Sequence, residues 1–137
     1  LWQPDAATLF KNRRNFGRED LAIFANITPE FASPIGQRTP AQMAKSTVVS
    51  SLADAILVSG PMAGAEPDVT TVESVRAAVP KEIKVFLNTG AKSETIAKYL
   101  KFADGCIVGS DLKRDGYTWN EVELDRAKRF IDAARGG

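Results

Sequence analysis

Histidine is absent from the 137 residues, and with it go the commonest general base and the commonest zinc ligand. No Ser/His/Asp triad can be assembled. Cysteine occurs once, as Cys106 inside an apolar run, which excludes a disulfide framework and reads as a buried thiol rather than a nucleophile, in keeping with a reducing, cytoplasmic setting. Long hydrophobic runs are missing too: stretches such as Leu21 to Ala25 and Ala55 to Val58 fall far short of the roughly 18 residues of a membrane helix. Charge of one sign never accumulates. The 18 basic and 17 acidic residues give a net charge of +1, and their spread along the chain offers nucleic acid no continuous basic footprint. Neither G-x-x-x-x-G-K-[ST] nor G-x-G-x-x-G occurs, so no nucleotide fingerprint is present, and neither a cofactor nor a metal is expected. The sequence opens on Leu1 rather than methionine, without a charged n-region or cleavage site, and so reads as a fragment or processed chain rather than a signal peptide.

What is present suits one soluble domain over residues 1–137, 44% hydrophobic and able to bury a core. Short apolar, β-branched runs alternate with capped amphipathic stretches in the order βαβαβαβα. Four strands are predicted: Leu21 to Ile27, Ala55 to Ser59, Ile83 to Asn88 and Gly105 to Ser110. Each is apolar almost throughout, as parallel strands covered on both faces are. Thr39-Pro40-Ala41-Gln42 combines an N-cap hydroxyl, a proline at the first helical position and a capping-box glutamine, predicting a helix from Pro40 to about Ser51. Thr70-Thr71-Val72-Glu73 predicts a second capping box before a helix ended by Pro80. Ser93 is expected to cap a third helix, through about Phe102, and the last is expected to start near Asn120, with Glu123 as its capping carboxylate. A helix over about 6–15, ended by Gly17, precedes the first strand. Four such units build either an open doubly wound sheet or half of a closed barrel. A half barrel exposes two strand edges and an apolar inner face, and is expected to associate with its other half or form a homo-oligomer.

In parallel α/β proteins function sits on the loops after the strands. Asn26 and Glu30 follow the first strand; Glu30 is either a general base or a solvated carboxylate, and Asn26 either contributes to a site or bonds loop backbone. Ser59, Gly60, Gly64 and Asp68 follow the second. Without an adjacent base Ser59 reads as a hydrogen-bond donor to a ligand or a satisfied loop hydroxyl, not a nucleophile. Asn88-Thr89-Gly90 closes the third strand and Gly109-Ser110 the fourth. Glycine at each turn lets backbone N–H groups face outward, and helix N-termini add partial positive charge, so Thr89, Gly90, Gly109 and Ser110 are expected to hold a small phosphorylated ligand. Lys92, Lys113 and Arg114 are either additional charge for that ligand or merely solvated, and Asp115 lies in the same loop. Tyr117 and Trp119 either dock a partner, as aromatic residues at interfaces do, or, for Trp119, cover the barrel bottom or a neighbouring helix.

Val58-Ser59-Gly60-Pro61 with Gly64 and Asp68, then Ala103-Asp104-Gly105, Ile107-Val108-Gly109-Ser110, Leu112-Lys113-Arg114-Asp115-Gly116 and Asn120, resemble the BtpA/SgcQ family from about Leu9 to Ala134. The resemblance implies the C-terminal half (βα units 5–8) of a (β/α)₈ barrel of the ribulose-phosphate-binding type. It also implies either an enzyme acting on a small phosphorylated metabolite, such as a sugar phosphate or nucleoside-related compound, or a non-catalytic assembly factor like those of photosystem I biogenesis. Where many members carry Asp, then Lys-His, after the fifth barrel strand, this chain has Asn26, then Glu30-Phe31. Glu121 stands where proline is expected.

Overall fold

The computed structural model describes residues 5–136. Its elements run α1 (Ala6–Asn15), β1 (Phe24–Asn26), α2 (Pro40–Ser51), β2 (Ala55–Val58), α3 (Val69–Ala78), β3 (Lys84–Leu87), α4 (Ile96–Tyr99), β4 (Gly105–Cys106), two 3₁₀ turns (Ser110–Leu112 and Arg114–Gly116) and α5 (Leu124–Arg135). The four strands form one parallel sheet in the order β1-β2-β3-β4.

Local chemistry fixes most of the helix starts, though not always through the expected residue. Thr39 and Gln42 form the predicted reciprocal capping box on α2. On α3 the cap is Asp68, whose carboxylate accepts the Thr70 N–H at 3.0 Å, so the helix begins ahead of the predicted Thr70 box. The third helix is a single turn after Thr95 and not a helix from Ser93, because the Ser93 hydroxyl and N–H both donate to Asp111 Oδ2. The last helix starts at Leu124 rather than near Asn120, and Glu123 caps nothing with its side chain. Asn120 instead donates from Nδ2 to Arg114 O at 2.9 Å, and Lys113 bridges Val122 in antiparallel fashion, which keeps residues 113–122 out of the helix. The edge strands are also shorter than predicted. β4 ends at Cys106, not Ser110; among the described residues it pairs on one side only, with β3 through Gly105 and Cys106.

Alternation sends one set of strand side chains toward the helices. Ile56, Val58, Val85 and Leu87 join Ala44, Val72, Val75, Ile96, Tyr99 and Phe130 in a single buried cluster, where each large side chain contributes about 1.5–3 kcal/mol of transfer free energy. The opposite face carries the rows Phe24-Ala55-Lys84 and Asn26-Leu57-Phe86-Gly105, set by the strand register. The Phe24 and Phe86 rings stack at 5.2 Å. A Cβ at Gly105 would sit 2.7 Å from the Phe86 ring, so a glycine is needed there for the ring to lie flat on the sheet.

The chain is built twice over. Arg13 donates to Leu21 O (3.0 Å) and Asp54 Oδ2 (3.3 Å), and Asp54 also accepts the Ile23 N–H (2.7 Å). Arg76 donates to Ile83 O (2.9 Å) and Asp104 Oδ2 (3.0 Å), and Asp104 accepts the Val85 N–H (2.9 Å). The same clamp thus ties helix, incoming strand and following strand at the amino ends of both β1-β2 and β3-β4. The sequence repeats with it: Asp5-Ala6-Ala7-Thr8-Leu9 caps and opens α1 as Asp68-Val69-Thr70-Thr71-Val72 does α3, Phe24-Ala25-Asn26 matches Phe86-Leu87-Asn88, and Ala53-Asp54-Ala55 matches Ala103-Asp104-Gly105. Burial works to raise the Asp104 carboxyl, but the Val85 N–H, Lys84 and Arg76 together hold it below its ordinary value.

Candidate functional site

The carboxyl ends of the strands bring Asn26, Ser59 and Asn88 together. Asn26 Nδ2 and Asn88 Nδ2 donate to Ser59 Oγ at 3.0 and 2.9 Å, and the serine hydroxyl finds Asn26 Oδ1 at 3.3 Å. Asn26 Oδ1 also accepts the Thr28 N–H, as a loop-ordering asparagine does, and Thr28 Oγ1 accepts the Ser59 N–H at 2.7 Å. Ser59 is buried. A hydroxyl that accepts from two carboxamides and faces no base lacks the means of becoming a nucleophile; it is the hub of a neutral shelf across β1, β2 and β3. Asn88 Oδ1 has no acceptor role within the described residues and is the shelf's open acceptor.

Glu30 lines the same groove as Asn26 and Ser59. Its Oε2 is buried without a hydrogen-bond partner among the described residues, so the carboxylate is not the simply solvated one that the sequence allowed. Metal ligands do not gather here: among the described residues no three of His, Cys, Asp and Glu are placed to hold an ion.

The loops after β2 and β3 are packed backbone to backbone. Gly60 N–H donates to Thr89 Oγ1 at 2.7 Å, and Thr89 Oγ1 donates to Ala65 O at 3.3 Å. Gly90 adopts φ +75°, and a Cβ there would lie 2.4 Å from Ala65 C; at Gly60 it would lie 2.1 Å from Ala65 O. These two glycines are therefore required by loop-on-loop packing, whatever a ligand adds. Glu66 continues the contact: Thr95 Oγ1 donates to Oε1, Lys98 Nζ to Oε2 at 3.2 Å, and the Tyr99 hydroxyl faces Oε2 at 3.1 Å and Pro67 O at 2.7 Å. Burial would raise the Glu66 carboxyl, yet these donors hold it low, while burial and then the Glu66 carboxylate push the Tyr99 hydroxyl up.

The turns after β3 and β4 are joined by Asp111. Its carboxylate takes the Ser93 N–H (2.9 Å) and hydroxyl (2.7 Å), while Arg126 Nε donates to Asp111 O at 2.9 Å and Arg126 Nη2 lies 3.8 Å from Asp111 Oδ1. The helix dipoles expected behind the two turns are not there, since α4 is one turn long and α5 starts only at Leu124. Gly109 has negative φ, and a Cβ on it would meet nothing within 4 Å, so no neighbour demands glycine at that turn. What the turns do offer is free backbone. Among the described residues, the N–H groups of Gly90, Ala91, Lys92, Gly109 and Ser110 donate to no protein acceptor.

The remaining expected residues are structural or peripheral. Asp68 is the α3 cap, Gly64 turns at φ +79° and Asp115 at φ 58°. Lys92 and Arg114 are exposed and Lys113 partly so. Trp119 is 85% exposed, so among the described residues it covers neither the barrel bottom nor a helix. Cys106 is half-buried, and burial pushes its thiol up. Thr28, Asp111 and Arg126 were not foreseen; only the nearness of Asp111 to Gly109-Ser110 in sequence hinted at its place.

The family model described as the BtpA family matches residues 1–136. The chain belongs to the BtpA family. It is 32% identical over 132 residues to the sgc region protein SgcQ of Escherichia coli, covering 96% of this chain and 49% of that protein. It is 31% identical over 137 residues to the photosystem I biogenesis protein BtpA of Synechocystis, covering 100% of this chain and 47% of that one. The chain thus spans about half the length of these BtpA-family relatives. Among solved structures it is similar to N-(5'-phosphoribosyl)anthranilate isomerase from Pyrococcus furiosus (TM-score 0.64, 17% identity, 96% of this chain and 58% of that one) and to a structure described as native KDPGal (TM-score 0.62, 20% identity, 98% and 56%). The fold is accordingly the C-terminal half of a (β/α)₈ barrel, with four parallel strands each followed by helical chain. Among the described residues no helix is long and apolar enough to cross a membrane.

Proposed function

We propose that the chain contributes to a barrel that binds a small phosphorylated metabolite at the turns after β3 and β4. The single observation that carries this reading is the set of backbone N–H groups at Gly90–Lys92 and Gly109–Ser110 with no acceptor of their own. Ala91 is buried and Gly90 and Ser110 are partly so, where N–H groups are normally paired, and free N–H groups on neighbouring strand-end turns suit a phosphoryl group. Thr89 shapes the first turn through its bonds to Gly60 and Ala65, and the Ser110 hydroxyl is placed beside the second. The Asn26-Ser59-Asn88 shelf then faces the unphosphorylated part of the ligand and recognises it by neutral hydrogen bonds. That one solved relative in fold is named for a phosphoribosyl compound is in keeping with this choice of ligand class. Asp111, next to the site, is turned to Ser93 and paired with Arg126 at 3.8 Å, whose positive charge offsets its own beside an anion.

Inorganic phosphate and a sugar phosphate, each titrated against the protein while its melting temperature is followed, test the proposal. Binding to the folded state raises the midpoint progressively with ligand. No rise with either compound at millimolar concentration rules the proposal out.

A second reading rests on Trp119 and Tyr117, both exposed on one loop: the chain docks a protein partner there and works as an assembly factor, a reading in keeping with a Synechocystis relative named for photosystem I biogenesis. On this reading Trp119→Ala abolishes capture of the partner while the melting temperature stays unchanged.

A further inference from the structure

We propose that the shelf at the strand ends reads hydroxyl groups, with Asn88 as its specificity-determining residue, so that the ligand is a small phosphate ester carrying vicinal hydroxyls on the carbons next to its ester oxygen. The inference rests on the phosphate reading of the turns after β3 and β4 and adds to it what the rest of the ligand is.

Counting donors and acceptors leads there. Asn26 Oδ1 takes the Thr28 N–H at 3.1 Å and the Ser59 hydroxyl proton at 3.3 Å, which uses both of its lone pairs and fixes the orientation of the carboxamide. Ser59 Oγ takes one N–H from Asn26 at 3.0 Å and one from Asn88 at 2.9 Å, and so is full as well. Thr28 Oγ1 accepts the Ser59 N–H at 2.7 Å and donates to Ser59 O at 3.1 Å. Thr89, between the shelf and the first turn, spends its hydroxyl on the Gly60 N–H and Ala65 O. What these side chains have left is the second N–H of Asn26, the second N–H of Asn88 and the whole of Asn88 Oδ1. Asn88 is thus the residue among them that offers a donor and an acceptor from a single planar group.

A donor beside an acceptor selects its complement. A ligand carboxylate takes the N–H groups but leaves Asn88 Oδ1 facing another acceptor, and an ammonium takes Oδ1 but meets the N–H groups with like polarity. A hydroxyl donates and accepts through the same oxygen, and two adjacent hydroxyls meet the N–H and C=O of one carboxamide together. Strand register gives these groups their place. The Asn88 N–H donates to Val58 O at 2.8 Å, which carries the β2-β3 ladder one residue past Val58 and Leu87. Ser59 and Asn88 therefore stand two residues beyond Leu57 and Phe86, on the same face of the sheet, turned away from the helices. Asn88 also lies two residues before Gly90, whose N–H is free, so their Cα atoms are within roughly 7 Å of each other. A phosphoryl group on the Gly90 and Ala91 N–H groups and a hydroxyl pair on Asn88 then belong to one small molecule. The edge of a nucleobase also pairs a donor with an acceptor, but a whole ribose separates it from its phosphate, further than the short step from Gly90 to Asn88.

Isothermal titration calorimetry on the chain with sn-glycerol 3-phosphate, n-propyl phosphate, 3-phosphoglycerate and inorganic phosphate tests this. The glycerol and propyl esters share charge and carbon skeleton and differ in the vicinal hydroxyls. Those hydroxyls are expected to tighten binding about tenfold or more, because a site built to hydrogen-bond a hydroxyl leaves its own polar groups unpaired when the hydroxyl is missing. In Asn88→Ala the two esters are expected to bind equally, while inorganic phosphate binds as it does to wild type. Wild type that binds inorganic phosphate but holds both esters equally overturns the hydroxyl reading and leaves the phosphate reading standing; no binding of any of the four compounds overturns both. This comparison within wild type holds whether or not the variant folds. Tighter binding of 3-phosphoglycerate than of glycerol 3-phosphate overturns the choice of hydroxyls over a carboxylate, and a preference that survives in Asn88→Ala overturns the role of Asn88.

Discussion

Replacing Asp104 by alanine removes the acceptor from a clamp that the chain uses twice, and the two copies differ enough to calibrate each other. In Asp104→Ala the Val85 N–H loses its partner beside a fully buried strand residue, which costs about 1–3 kcal/mol. The ion pair with Arg76 is well shielded, with side chains 21% and 29% exposed, and adds about 1 kcal/mol; the pair with the half-exposed Lys84 adds close to nothing. The loss is therefore about 2–4 kcal/mol, or roughly 6–16 °C in melting temperature for a chain of this size. In Asp54→Ala the same kind of bond to Ile23 is lost, but the Asp54 side chain is 48% exposed and water replaces it, so about 1 kcal/mol is expected. The sign with pH follows from the depressed Asp104 carboxyl: a group whose folded value lies below its unfolded one stabilises above the unfolded value of about 3.9 and loses that contribution as pH falls through the folded one. Urea unfolding of wild type and both variants at neutral pH and near pH 3 is the assay. Asp104→Ala must be the weaker of the two variants at neutral pH, and its deficit must shrink in acid. Equal losses, or a deficit that grows in acid, refute the account of the clamp.

Gly90→Ala forces a side chain onto a positive φ and into the Ala65 backbone, and is expected to cost about 3 kcal/mol in urea unfolding. Ser59→Ala leaves two carboxamides without their shared acceptor; a loss of about 1–2 kcal/mol is expected by the same measurement. Trp119→Ala removes an exposed ring and should move the folding free energy by no more than about 0.5 kcal/mol; a larger loss would mean that the ring is packed after all.

The strand and helix order was legible in the sequence because apolar runs and caps such as Thr39-Pro40-Ala41-Gln42 are local signals. So was the family, carried by the strings around Ser59 and Gly109. What was not legible depended on contacts across the fold. Ser93 looks like a helix cap until Asp111 arrives from another loop and takes its donors. Gly90 looks like a ligand-binding glycine until the backbone at Ala65 is seen to rest on it, and the helix expected near Asn120 starts only at Leu124 because the Lys113–Val122 bridge keeps the preceding residues extended. The repeat was written in the sequence as Asp5/Asp68, Arg13/Arg76 and Asp54/Asp104, but unequal loop lengths between its halves hide the match until the clamps line up in space. At the candidate site the shelf residues Asn26, Ser59 and Asn88 were all named from the strand ends, and the lack of an adjacent base already spoke against Ser59 as a nucleophile; their mutual bonding, which makes Ser59 a hub, could come only from geometry.

The ligand proposal is tested most directly by following the backbone amide resonances of the ¹⁵N-labelled protein during titration with inorganic phosphate. The account predicts that the amides of Gly90, Ala91, Gly109 and Ser110 shift together and saturate at one common dissociation constant, while those of the Arg13–Asp54 and Arg76–Asp104 clamps stay in place. Amides at the two turns that do not move, or that move no more than the clamp residues, would contradict it.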